Sequence, residues 1–223
     1  MSDFIWTDVQ GNEAEELAVE LSRILQPAPP KEQMAFKVAA LPFYADYKLF
    51  GMPVPGQPGA AIFFLRGNGE FLPLDGSNVP IYLLNQKAPV VLNRETVPAY
   101  AKFFFDLVRG KYGRFIIVEK PEDIAWLPDA SEEDKERVNQ LLQPLTYKSL
   151  GRDNRFMLSA TVLFRNALFS TNIRVCAVAE APGEDAEKEP GKIVGEMELT
   201  DEQLLAENLS LPEEPISLRL ALE

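Results

Sequence analysis

Three carboxylates stand close together at Glu119, Glu122 and Asp123, directly after the apolar run Phe115 to Val118, and Trp126 follows. A carboxylate at a strand end beside an aromatic ring can have its pKa raised and pass a proton. Two acids at a suitable separation suffice for glycoside hydrolysis, and oxygen ligands of this kind can hold Mg²⁺ or Ca²⁺. Glu119 and Asp123 are therefore the candidate catalytic pair of a carboxylate-dependent hydrolase. The competing reading is a polar turn at Pro121-Glu122-Asp123, with Asp123 capping one helical turn.

A second group is basic. Lys148, Arg152, Arg155, Arg165 and Arg174, set against Asp153, form a band around the strands at 156–179. Such a band can receive a small anionic ligand, a protein partner or the acidic C-terminal region of the same chain. The last is favoured, because a tethered partner is present at high effective concentration. No aromatic residues interleave with these cations in the manner of a base-stacking surface.

The rest of the usual chemistry is excluded by composition. The chain has no histidine and one cysteine, Cys176. Histidine is the commonest general base and a frequent metal ligand. A Ser-His-Asp or Cys-His triad cannot form without it, nor can a His-based zinc, iron or copper site. Cys176 lies within an alternating apolar run and reads as a small structural hydrophobe. Gly67-Asn68-Gly69 lacks the third glycine and the following helix of a dinucleotide fingerprint, and reads as a hairpin turn. No segment matches a phosphate-binding P-loop or a nucleophile elbow. No cofactor and no metal is expected.

The net charge is −12 over 223 residues, and it is unevenly placed. Residues 1–20 hold six acids and no base, and residues 180–214 hold twelve acids and two lysines. Residues 21–179 hold 19 bases and 15 acids, a surplus of four positive charges. Repulsion from phosphates argues against nonspecific nucleic-acid binding. The longest apolar stretches, 60–65 and 115–118, are far too short to span a bilayer, so no membrane association is expected. The N-terminus shows no secretory signal and one cysteine cannot make an internal disulfide, which points to a cytoplasmic protein.

These groups must be carried by elements. Asn12 to Leu25 has the 3.6 period of an amphipathic helix, with Asn12 and Glu15 as a capping box. The Pro-rich segment 26–30 ends it as an extended spacer. From Met34 to Leu92 the pattern is strand-like, including Ala60 to Leu65 and Ile81 to Leu84, with an irregular loop at 51–59. Thr96 caps a helix from Val97 to about Arg109 whose apolar circumference is too wide for one neighbour. Arg114 to Val118 reads as a central strand covered on both faces. Ser131 caps a charged helix over about 132–142.

The clearest strands are last. Phe156, Leu158, Ala160, Val162 and Phe164 alternate with polar residues, and Phe169 to Ala179 alternates again. The pairing that places Arg165 opposite Leu168 puts Phe164 against Phe169, Ala160 against Ile173 and Leu158 against Val175. The other face, with Ser159, Thr161, Ser170, Asn172 and Arg174, is expected to be wet. A third strand has Ile193, Met197 and Leu199 inward, and Thr200 with Gln203 then caps a short helix.

The order of elements predicts an α+β fold: an antiparallel or mixed sheet with a C-terminal three-strand meander and helices packed on it. The organisation is an N-terminal helix and spacer (1–33), one α+β domain (34–212) and a C-terminal tail (213–223). The absence of catalytic motifs favours a non-enzymatic protein-interaction or small-ligand binding module. The hydrolase is the alternative. A homodimer is expected, with the N-terminal helix or the Phe103–Phe105 region at the seam. The candidate partner surface takes in Phe105, Trp126, Lys148, Arg152, Arg155 and Arg174.

Overall fold

The computed structural model describes residues 4–57, 60–88, 90–179 and 191–212. It has the predicted α+β architecture, built on two antiparallel five-stranded sheets. The first sheet runs β1 (Thr7–Asp8), β2 (Lys37–Ala40), β3 (Tyr47–Pro53), β4 (Ala61–Gly67) and β5 (Glu70–Leu74), each paired with the next. Two helices follow, α2 (Val79–Lys87) and α3 (Val97–Leu107). The second sheet contains β6 (Phe115–Ile117), β7 (Thr146–Leu150), β8 (Arg155–Phe164), β9 (Ala167–Cys176) and β10 (Met197–Ala206). Its order is β10-β9-β8-β6, and β7 pairs with the other end of β8. Strands β8, β9 and β10 are the predicted meander.

The main core lies between the sheets. Leu49 and Leu65 of the first sheet and Leu158, Ile173 and Val175 of the second belong to one buried cluster with Ile81, Leu84, Tyr100 and Phe103 of the helices. Helix α3 accounts for its own apolar circumference here. On one flank Tyr100 and Phe103 meet Phe43, with ring centroids 5.1 and 5.2 Å apart. The other flank faces β6, β7 and β9. Phe105 is buried within this chain, edge-on to Phe104, and is not a surface residue. The Phe103–Phe105 region expected at a seam is packed within the chain, Phe103 on Phe43 and Tyr44 and Phe104 on Tyr82 of α2.

Helix α1 (Asn12–Ile24) packs on the opposite face of the first sheet. Leu17, Leu21 and Leu25 are buried against Phe36, Phe50, Met52 and Phe64. Its N-cap is Gly11, at φ 64°, and not Asn12, which is the first helical residue. A third cluster lies outside the second sheet, where Leu163 and Leu168 meet Val118, Ile124, Leu209 and Val138 of α4 (Glu132–Asn139). Ser131 caps α4 as predicted, its Oγ accepting from the Asp134 N–H at 3.1 Å.

Several local expectations are corrected. Ile81 to Leu84 is helical: Pro80, Ile81, Leu84 and Asn85 are buried at helical spacing, and Pro80 sits in the tolerated first turn. A four-residue apolar run fits either element, and its neighbours decide. Strand β3 continues through Gly51 and Met52, so the irregular segment begins only after Pro53. Strand β6 is covered on both faces but is not central. It pairs with β8 alone, because β6 and β7 each occupy half of the same edge.

The expected helix after Thr200 is the second half of β10. Pairing with β9 along its length outweighs the capping pattern, with irregularities between Thr200 and Gln203 and between Leu204 and Ala206. The β8–β9 register differs by two residues from the expected one: Val162 pairs with Phe169 and Leu158 with Ile173. The turn is the two residues Arg165-Asn166, one position earlier than expected, with Arg165 at φ 56°. A shift of two keeps every side chain on its face, whereas a shift of one would reverse them. The far face is not wet throughout, since Thr161 is buried beneath the segment leading from α4.

Candidate functional site

The chain leaves the second sheet after Val118, which is fully buried, and turns through a 3₁₀ segment at Pro121–Asp123. Asp123 Oδ2 accepts from the backbone N–H of Glu119 at 2.9 Å and of Lys120 at 3.1 Å. This is the capping role of the competing reading. Glu119 turns the other way. Its Oε1 accepts from the Leu145 N–H at 2.9 Å, just before β7, and its Oε2 forms an ion pair with Lys102 of α3. Glu122 is exposed. Trp126 is half-buried against the outer cluster. The two expected catalytic carboxylates are therefore each spent on backbone N–H groups, and Glu119 also ties α3 to the second sheet.

Two members of the basic band, Arg155 and Arg174, are neutralised within the chain. Glu198 of β10 lies 3.0 Å from Arg155 and 3.4 Å from Arg174, and Arg174 also pairs with Asp153. The hydrogen bond from Arg174 holds the Asp153 carboxyl below the usual carboxylate range. Glu198 belongs to the acidic C-terminal region, so part of the expected contact within the chain is present. The acidic segment 180–190 lies outside the described residues. Lys148 is the extra residue of the irregularity between Tyr147 and Ser149, and both it and Arg152 are exposed. Arg155 and Arg174 are brought together. Phe105 and Trp126 belong to other places, one in the main core and one in the outer cluster.

A polar group unforeseen in the sequence lies between the sheets. The Tyr44 hydroxyl donates to Asn85 Oδ1. Asn85 Nδ2 donates to the Tyr100 hydroxyl at 2.8 Å and to the Val194 carbonyl at 2.7 Å. The Tyr100 hydroxyl donates onward to the Gly195 carbonyl at 3.2 Å. Burial pushes both phenols up, that of Tyr100 well above the ordinary range. A phenol held neutral with its bonds already made is a fastener, here joining the first sheet's loop, α2, α3 and the approach to β10. Gly195, at φ 82°, fits because a Cβ there would overlap the Tyr100 hydroxyl and the Asn85 amide.

The open feature of this face was not read from the sequence. Phe4, Ile5, Ala40, Pro42, Ala99 and Lys102 line a groove of about 240 Å³. Its geometry follows from the end of the β1 ladder. Thr7 pairs with Val38 and Asp8 with Lys37, but Phe4 and Ile5 lie outside the strand. Ile5 is left 86% exposed. The available signal was Phe4-Ile5-Trp6, an apolar triplet in an otherwise acidic N-terminal stretch.

Comparison with family models, curated proteins and solved structures finds no match. Among the described residues, no helix is long and apolar enough to cross a membrane. No cluster of three or more potential metal-ligating side chains occurs among them.

Proposed function

We propose that the protein is a non-enzymatic binding module that takes an extended peptide segment of a partner protein at the groove beside β2. The observation that carries this reading is the groove where the β1 ladder ends, lined by the apolar side chains of Phe4, Ile5, Ala40, Pro42 and Ala99. Sheet edges with unpaired backbone groups are templates for added strands, and neighbouring apolar pockets supply selectivity. The groove volume of about 240 Å³ is below the roughly 300–1,000 Å³ of a small-molecule pocket, which favours side chains of a peptide over a whole metabolite. The alternative, a carboxylate-dependent hydrolase using Glu119 and Asp123, has less support, because both carboxylates already accept backbone hydrogen bonds.

Selection of a displayed decapeptide library on the folded protein tests the reading. Recovered sequences are remade and titrated by calorimetry against the wild type and Ala40→Arg, which fills the groove from an exposed position. Binding that is saturable in the wild type and lost in a variant of unchanged melting temperature is the expected result. Peptides that bind both proteins equally, or a library that yields none, would overturn it.

A further inference from the structure

We infer that the outer edge of β10 takes an extended basic segment of a partner protein, at a site separate from the groove. β10 ends its sheet, and among the described residues no strand pairs with its outer side. Met197 N–H donates to the Tyr82 hydroxyl at 3.1 Å, so it faces away from β9. Peptide groups alternate along an antiparallel strand, and those of Leu199 share that direction. Beyond the irregularity, Gln203 pairs with Ser170 and Leu204 with Phe169. The two-residue turn at Arg165-Asn166 closes on a hydrogen-bonded pair, Phe164 with Ala167. Alternation from that pair commits Phe169 to β8 and Ser170 to β10, so Leu204 also turns its N–H and C=O outward. The Leu204 side chain is 50% exposed beside them. Such an edge is a template for an added strand.

Charge decides what that strand is. Residues 193–212 hold Glu196, Glu198, Asp201, Glu202 and Glu207 and no base. Glu198 is matched by Arg155 and Arg174, and Asp201 accepts from the Asn172 amide at 2.9 Å. Glu196, Glu202 and Glu207 have no ion-pair partner among the described residues, and Glu202 and Glu207 are exposed. A second β10 laid along the first would set acids against acids, and like charges on facing strands repel. Acids and irregularities thus guard the edge against strands of the same sign. They admit one of the opposite sign. Leu199 and Leu204 share the inner face through their partners Ile173 and Phe169. A segment alternating apolar residues with Lys or Arg rests its apolar side against these two leucines and brings its cations within reach of Glu202 and Glu207. The net charge of −12 favours the encounter as well.

Three Ser-flanked, fluorescein-labelled peptides of equal length test this by anisotropy, with valine alternating with Lys, Gln or Glu. At physiological salt the Lys peptide is expected to bind about fivefold tighter than the Gln peptide, and the Glu peptide most weakly, the scale of two exposed ion pairs. The preference should fall to near parity in Glu202→Gln/Glu207→Gln. Glu133→Gln/Glu136→Gln removes the same charge from exposed positions on α4 and should leave it intact. N-methylation of alternate residues in the Lys peptide separates strand addition from charge attraction: one alternate set should abolish binding and the other spare it. Binding should also persist in Ala40→Arg; its loss there would put the peptides in the groove and overturn the inference while the peptide-binding reading stands. No binding, Lys and Gln peptides that bind alike, a preference lost equally in both double variants, or indifference to which set is methylated would each overturn it too.

Discussion

Asn85 shows how much one side chain decides here. It holds two phenols and a backbone carbonyl where the loop before β3, α2, α3 and the approach to β10 meet. Asn85→Leu has a similar volume but strands the Tyr44 hydroxyl and the Val194 carbonyl and leaves Tyr100 only its bond to Gly195, and each buried unsatisfied group costs about 1–3 kcal/mol. A loss of at least about 2 kcal/mol in denaturant unfolding is expected. The same network sets the alkaline limit. Tyr44 and Tyr100 have folded pKa values above their unfolded value near 10, so the neutral phenol is the form the fold stabilises. Their contribution is complete below about pH 10 and is lost as pH rises toward the folded values, because the unfolded chain ionises first. Tyrosinate absorbance from these two should therefore appear together with the loss of near-ultraviolet circular dichroism. Ionisation of all six tyrosines with the fold intact would contradict their burial.

Thr161 makes the same point on strand β8. It accepts from the Gln143 N–H at 2.9 Å and is 1% exposed, while Val162 on the other face is 2% exposed. An unpaired buried carboxylate costs several kcal/mol on either side. Thr161→Asp and Val162→Asp are thus both expected to unfold the protein, with Lys148→Asp harmless by comparison in thermal melts. The alternating pattern identified the inner face correctly. It could not show that α4 and the chain after it would cover half of the outer one.

At the scale of elements, α1 carries the sharpest consequence. Its leucines close over Phe36, Phe50, Met52 and Phe64, so the helix is part of the first sheet's core despite its Pro-rich connection. Removal of residues 1–26 should leave a chain that binds hydrophobic dye and aggregates. A truncated protein that stays folded and melts like the parent would mean that α1 is an appendage. The amphipathic stripe was plain in the sequence, but periodicity says only that a face is buried and not by what. Elements α2 and β10 fell the other way for a related reason. The apolar run at 81–84 and the capping pattern at Thr200 are local signals, and partners distant in sequence outweigh them, the main core that receives Ile81 and Leu84 for α2 and β9 for β10.

Across the whole molecule, the grounds for expecting a second copy are met inside one chain. The first sheet covers one flank of α3, the second sheet covers the other, and α1 lies on its own body. Sedimentation equilibrium at micromolar concentration is accordingly expected to give a mass near 24.9 kDa. A mass of two chains would mean that a homodimer forms through another surface. Phe105→Glu separates the cases further: a residue 7% exposed in the main core should cost folding, whereas a seam residue would give a soluble, folded protein.

Composition and local pattern alone determined that this is an α+β chain with a C-terminal meander and without histidine-based chemistry. They also determined the turn at Asn68-Gly69, where φ values of 50° and 75° match a two-residue hairpin. Such features depend on residue type and on neighbours a few positions away. The tertiary structure decided what each surface is for. It turned Glu119 and Asp123 into braces, matched Arg155 and Arg174 to Glu198, and withdrew Phe105 into the core. It also ended β1 at Thr7, leaving Ala40 beside an open groove. Each outcome depends on which distant segment arrives, and no local spacing encodes that.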